Sequence, residues 1–279
     1  MAVTHPFRRV ARPQRARRAL VVPLVAIAAV LLAPFAVLLA ASFSANGLAG
    51  TFVPSLEQFA GALERLDFFR YAKNSVVVAV VYTVPVVISS FFAGYAFARL
   101  RVRGSKVLFG VVVGTMLVPL FVYIIPLFVV YSRVGLTNTV LPWLLWGIAG
   151  NAFYIFLFRQ FFDAFPAELE EAAMMDGLSR WSIITRIVAP NSLTVIATVT
   201  ILAFSGVWGE ALVQGILLYT DEAQTLSARL ASGVFNPASQ SILVAPTLAA
   251  LAIYVLPPVA VFIAFQRHII AGVATTGLK

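Results

Sequence analysis

Residues 163–192 read DAFPAELEEAAMMDGLSRWSIITRIVAPNS, and this polar connection between two apolar runs carries its own helical grammar. Pro166 suits a first helical position, Glu168, Glu170 and Glu171 sit near the positive end of a helix dipole, and Gly177 suits a left-handed stop. The stretch Pro166 to Asp176 predicts a helix of about 16 Å. Ser179 then caps a second short helix that is expected to end before Pro190. Ala172 and Ala173 offer a shallow surface that another protein can approach closely. Leu169, Met174 and Met175 supply apolar grip, and Glu171 and Asp176 supply acceptors. The competing reading is a helix lying on lipid, but such helices favour basic polar faces and this one is acidic. The segment reads as a docking knob.

What surrounds it is membrane. The chain has 279 residues, 61% apolar and only 11% charged, with a mean hydropathy of +0.95, whereas soluble domains carry about 25% charged residues. The apolar runs are each near the roughly 20 residues that cross a hydrocarbon core. They read as spans 20–42, 71–98, 107–130, 140–162, 193–217 and 242–265, an all-α polytopic membrane protein with six transmembrane helices. The first run follows a basic tail but is too long for the apolar core of a signal peptide, so it is expected to remain as the first helix. Residues 1–19 form a basic tail, 20–265 the six-helix domain, and 266–279 a second tail; the longest connections are 163–192 and 219–241.

Loop charge orients the helices. The two tails, the turn from Arg99 to Lys106 and the 159–192 segment hold fifteen Lys or Arg, against Arg65, Arg70, Lys73, Arg133 and Arg229 on the other side. The positive-inside rule therefore puts both termini in the cytoplasm. The net charge of +9 records this orientation and gives no reason to invoke nucleic acid. Cysteine is absent and the histidines, His5 and His268, stand in opposite terminal segments, so no metal or cofactor site is suggested. No G-x-x-x-x-G-K-[ST] phosphate loop occurs; Gly104, Ser105 and Lys106 lack its spacing. Paired catalytic groups are not apparent either, which argues against a membrane enzyme.

Within the spans, Ala93, Gly94, Phe97 and Ala98 suggest close helix contact, and prolines such as Pro85, Pro119, Pro126 and Pro246 read as packing geometry. Glu210 is an acidic residue near the outer end of the fifth span, where a helix-pairing role competes with a substrate-ligand role. Asn151, Trp208 and Gln214 are further pore-lining candidates.

The run Glu171 to Pro190 resembles the EAA signature of permease subunits of ATP-binding-cassette importers. Glu171, Ala172 and Ala173 are followed by Gly177 six residues after the Glu, Ile187 sixteen after it and Pro190 nineteen after it. Ala189 departs from the usual Leu. Asn74 and Ser75 at the start of the second span, and the tail with Gln266, Arg267, Gly272, Gly277 and Lys279, resemble the carbohydrate branch and its smaller maltose-type subunit. Around Phe204 to Glu210 the family often has Trp followed by Asn, where this chain has Trp208 and Gly209.

The resemblance implies a type I importer permease fold in a bacterial plasma (inner) membrane. It implies a coupling helix, Glu171, Ala172, Ala173, Met174, Asp176 and Gly177, docked on a separate ATPase. The implied partners are a second permease subunit, two cytoplasmic ATP-binding subunits that use ATP and Mg, and an extracytoplasmic sugar-binding protein, which the loop with Thr225, Leu226, Phe235, Asn236 and Pro237 would face. This chain would then bind no cofactor and catalyse no reaction itself. The alternative is a secondary transporter or channel that needs no ATPase.

Overall fold

The computed structural model describes residues 14–100, 102–236 and 240–276. Helix α1 (Gln14–Ser42) is followed by a short amphipathic α2 (Glu57–Arg65) and by α3 (Phe68–Arg99), the longest helix described. Next come α4 (Ser105–Gly114), a 3-10 turn (Thr115–Leu117), α5 (Leu120–Arg133), α6 (Leu141–Ala149) and α7 (Ala152–Ala164). The polar connection holds α8 (Ala167–Met175), α9 (Arg180–Ile183), a π turn (Ile184–Val188) and α10 (Ala189–Asn191). The chain ends with α11 (Leu193–Gly209), α12 (Leu212–Leu217), α13 (Leu226–Ala231), a two-residue hairpin of β1 (Phe235–Asn236) and β2 (Ser241–Ile242), α14 (Val244–Tyr254) and α15 (Leu256–Thr276).

Among the described residues, four stretches are long and apolar enough to cross a membrane without a sharp bend: Val21–Ser42, Phe68–Arg99, Leu141–Ala164, interrupted at Gly150 and Asn151, and Val244–Ile269. Two bent pairs bring the count to six. One corrects the expected continuous third span: α4 and α5 meet at 95°. Pro119 disfavours helical backbone in the residue before it, and Val118 is extended with ψ 112°. The other bend, 75°, lies between α10 and α11. Here the helix from Arg180 runs through Pro190 to Asn191 instead of ending before the proline. The π turn just ahead widens the helix where the proline ring would otherwise crowd the preceding turn. Carbonyls freed near this bend are taken up locally: Asn191 Nδ2 donates to Ile187 O at 2.7 Å and Ser192 Oγ to Val188 O at 2.6 Å. Such satisfaction is what lipid demands of irregular backbone.

The expected fifth span, 193–217, is also interrupted. Helix α11 stops at Gly209 and α12 begins at Leu212, with Glu210 extended between them. Continuous hydropathy hid this break, which polar side chains hold. Gln214 Nε2 donates to Val207 O, the Tyr254 hydroxyl donates to Trp208 O, and the Glu210 carboxylate accepts from the N–H groups of Val213 and Gln214 at 2.8 and 2.9 Å.

Helix α3 is the centre of the bundle and enters all three buried clusters. Phe68 and Tyr71 pack with Leu226 and Ala249; Val78 and Ala79 with Trp143 and Val207; Val86 and Phe91 with Phe158, Phe162 and Val199. Lipid gives little hydrophobic drive for one helix to join another, so close packing carries the association. Gly94 makes it close: a Cβ there would lie 2.5 Å from Phe158 Cβ and 2.9 Å from Arg159 N. Phe91 then meets the Phe158 and Phe162 rings edge-on at 5.5 and 5.2 Å. By contrast α1 is almost wholly exposed along its span and packs chiefly on α14, as a lipid-facing helix would.

Candidate functional site

Helix α8 stands close to its expected bounds, with Pro166 one position earlier, at the N-cap, and Asp176 as C-cap. Its end is a Schellman closure: Leu178 N–H reaches Ala173 O at 3.1 Å and Gly177 N–H reaches Met174 O at 3.0 Å. The closure needs a residue in the left-handed region, and Gly177 supplies it with φ +82°. Ser179 caps α9 by accepting from Ser182 N–H at 3.2 Å.

The helix presents Glu171, Ala172, Met174, Asp176 and Gly177 to the exterior, with Leu169 and Met175 exposed beside them. Ala173 is a correction to the docking surface. It is buried among Phe162, Ile183 and Val188, and its small side chain lets α8 lie close to the bundle.

Sequence reasoning missed Glu170, which shares Ala173's inward face and is only 8% exposed. One carboxylate oxygen accepts from the Tyr95 hydroxyl at 2.6 Å and the other from Arg99 Nε at 2.7 Å. Arg99 Nη2 also donates to Phe165 O at 2.7 Å, so one guanidinium at the end of α3 holds both the end of α7 and the first turn of α8. Glu170 stands three residues before Ala173 on one helix face, but nothing in the local sequence marked that face as the inward one.

A cavity of about 460 Å³ lies where three helix breaks converge, lined by Tyr82, Tyr123, Trp143, Trp146, Tyr154, Asn151 and Glu210 among others. Of the four pore-lining candidates it brings together Asn151 and Glu210. Asn151 caps α7, its Oδ1 accepting from Phe153 and Tyr154 N–H. Trp208 and Gln214 stand outside the cavity. Trp208 is 3% exposed, stacks between Phe204 and Tyr254 and donates Nε1–H to Tyr254 O at 3.0 Å. Gln214 is buried, its side-chain oxygen accepting from the hydroxyls of Thr225 and Ser227.

At the far end of α3, the 219–241 connection is fastened by polar contacts. Tyr71 and Arg70 donate to Asp221 at 2.5 and 2.6 Å, Asn74 Nδ2 donates to the carbonyls of Glu222 and Gln224 at 2.8 Å each, and Leu226 N–H reaches Ser75 Oγ at 2.9 Å. The Tyr71 hydroxyl, then the Arg70 guanidinium, hold the Asp221 carboxyl below its ordinary range. Thr225 and Leu226 are buried and so turn inward, away from any surface for a partner. Phe235 is exposed and pairs with Ile242 in the hairpin, as Asn236 does with Ser241; Pro237 lies outside the described residues.

Four candidate spans with two bent pairs, an exposed face on α8 and an aromatic-lined cavity make a polytopic membrane bundle. Residues 86–275 match the family described as binding-protein-dependent transport system inner membrane component, and the chain belongs to it. It is 33% identical over 201 residues, 71% of each chain, to the lactose transport system permease protein of Rhizobium radiobacter. It is 28% identical over 212 residues to a maltose/maltodextrin transport system permease protein of Vibrio vulnificus, covering 74% of this chain and 71% of that one. Among solved structures, a bacterial ABC transporter involved in import of the acidic polysaccharide alginate aligns with a TM-score of 0.75 at 25% identity, covering 94% of this chain and 99% of that one.

Proposed function

We propose that this chain is the permease subunit of an ATP-driven sugar importer, forming half of the translocation pathway beside a second permease subunit. Of two cytoplasmic ATPase subunits, which use ATP and Mg, one docks on α8 of this chain and the other on the matching helix of the second permease, and an extracytoplasmic sugar-binding protein delivers substrate at the 219–241 end. Both termini lie in the cytoplasm of a bacterial inner-membrane system.

The observation that carries the reading is α8 itself. A short helix closed at Gly177 leaves Leu169, Met174 and Met175 exposed beside the acceptors Glu171 and Asp176. That is a polar-rimmed apolar patch, the composition of a protein docking surface. The sugar assignment draws support from the relatives and from the cavity. Aromatic faces pack against the C–H faces of sugar rings, while an amide and a carboxylate, here Asn151 and Glu210, suit hydroxyl groups. ATPase partners would pull the α8 helices of the two permeases together and reverse the side on which the pathway opens.

Gly177→Asp tests the docking. A Cβ at this position meets nothing within 4 Å, so the new carboxylate projects from the docking face clear of the bundle, while φ +82° disfavours any side chain there and strains the closure of α8 itself. Loss of ATPase co-purification and of uptake, with the permease still inserted, is expected. Normal assembly and uptake in this variant would refute the role assigned to α8.

A further inference from the structure

Helix α3 is gripped by polar side chains at both ends, and the two grips differ in what they hold. At one end the carboxylate of Glu170 in α8 lies between Tyr95 Oη and Arg99 Nε of α3, at 2.6 and 2.7 Å. At the other, Asn74 holds two carbonyls of the 219–241 connection and Ser75 accepts the N–H of Leu226. Asn74 and Arg99 are 25 positions apart, about 37 Å along the helix axis. The inner grip is sheltered: the side chains of Arg99 and Glu170 are 18% and 10% exposed, so water competes weakly for them.

We propose that Glu170, Tyr95 and Arg99 are positioning residues that lock the docking helix to α3, so that α3 carries displacement of α8 to the 219–241 connection through Asn74 and Ser75. The inference rests on reading α8 as the site of ATPase docking. The geometry supports a rigid link over a hinge for three reasons. The guanidinium bridges α8 and the α7 terminus at once, Tyr95 is braced edge-on against Phe162 at 5.4 Å, and α3 meets α7 at Gly94 with no room for a methyl group. A displacement of α8 therefore meets α3 and α7 as one body. Exposed Glu171, one residue away, is left to face the docking partner.

The experiment uses the whole complex in proteoliposomes with its binding protein, and reads molecules imported per ATP hydrolysed. Glu170→Gln, Tyr95→Phe and, at the far end, Asn74→Ala are compared with the unmodified complex. All three are expected to co-purify with ATPase subunits in parental amounts. Import per ATP is expected to fall by about five-fold or more in Glu170→Gln and Asn74→Ala, and by less in Tyr95→Phe, which keeps the ring and the arginine contact. Binding protein is expected to lose its stimulation of hydrolysis in the first two. A purely structural role would lower assembly, with uptake and hydrolysis falling together at a constant ratio; that result, or a parental ratio in Asn74→Ala, overturns the proposal. If Glu170→Gln fails to assemble, Tyr95→Phe and Asn74→Ala decide by the same ratio. Absence of ATP-driven uptake by the unmodified complex would instead sink the importer reading, so the two failures are distinct.

Discussion

Replacing Gly94 by alanine tests the closest helix contact in the bundle. The added Cβ would stand 2.5 Å from Phe158 Cβ, 2.9 Å from Arg159 N and 3.1 Å from Ile155 O. Carbon atoms pack best at about 3.5–4.0 Å, so the contact is short by about 1.0–1.5 Å. Two of the three obstacles are backbone atoms and the third is the stem of a buried side chain, so relief requires α3 and α7 to separate. Overpacking of this kind costs about 1–3 kcal/mol. Alanine also gains about 1 kcal/mol over glycine in a helix, which would blur a single measurement. Gly110→Ala in α4 removes the ambiguity: its Cβ meets nothing within 4 Å, so it receives the same helix term without the clash. The difference between the two variants is then the steric cost alone. At about 2–4 °C per kcal/mol for a chain of this size, Gly94→Ala is expected to melt about 2–12 °C below Gly110→Ala in the same detergent. Equal melting temperatures would mean that α3 and α7 do not meet as described.

Three further outcomes rest on the polar contacts. Asp221 is held below the ordinary carboxylate range by Tyr71 and Arg70. A lowered folded-state value means that its stabilisation is present in full above about pH 3.9 and is lost as pH falls through the lower folded value; a carboxyl-selective NMR titration of Asp221 with its midpoint at or above about 3.9 would contradict this. Trp208→Phe keeps an aromatic ring between Phe204 and Tyr254 but loses the bond to Tyr254 O, so it is expected to cost about 1 kcal/mol in a melt and to leave the apparent substrate affinity of uptake unchanged. Glu210→Gln, at the cavity, is expected to change that affinity, and the reverse pattern would exchange the roles of the two residues.

How much could be read in advance depended on whether the cause was local. The cap, dipole and stop of α8 are written within about a dozen consecutive residues, so its bounds were legible at Pro166, Asp176 and Gly177. Which of the adjacent acids Glu170 and Glu171 turns inward depends on Arg99, some seventy positions away, and local grammar does not contain that contact. Proline was likewise ambiguous. Pro85 and Pro126 sit inside helices while Pro119 marks a 95° turn, and the helices packed around each position settle the difference. The break at Glu210 was hidden because hydropathy averages over apolar residues, whereas the break is held by individual hydrogen bonds from Gln214 and Tyr254. Asn151 and Glu210 were legible as polar residues out of place in apolar surroundings. Trp208 and Gln214 gave the same signal for a different reason, since they serve the backbone at the end of α11.

The loose attachment of α1 has a consequence for what a probe placed on it can report. A helix exposed along almost its whole span and resting chiefly on α14 is held by few contacts within its own chain, so whatever fixes its shape comes from its surroundings, lipid or a second subunit. Within this chain its leucines, valines and alanines meet no contact as close as that of Gly94 with α7. The matched family segment begins at residue 86, well after this helix. A reporter placed along the first span would therefore read its surroundings rather than the packing around α3.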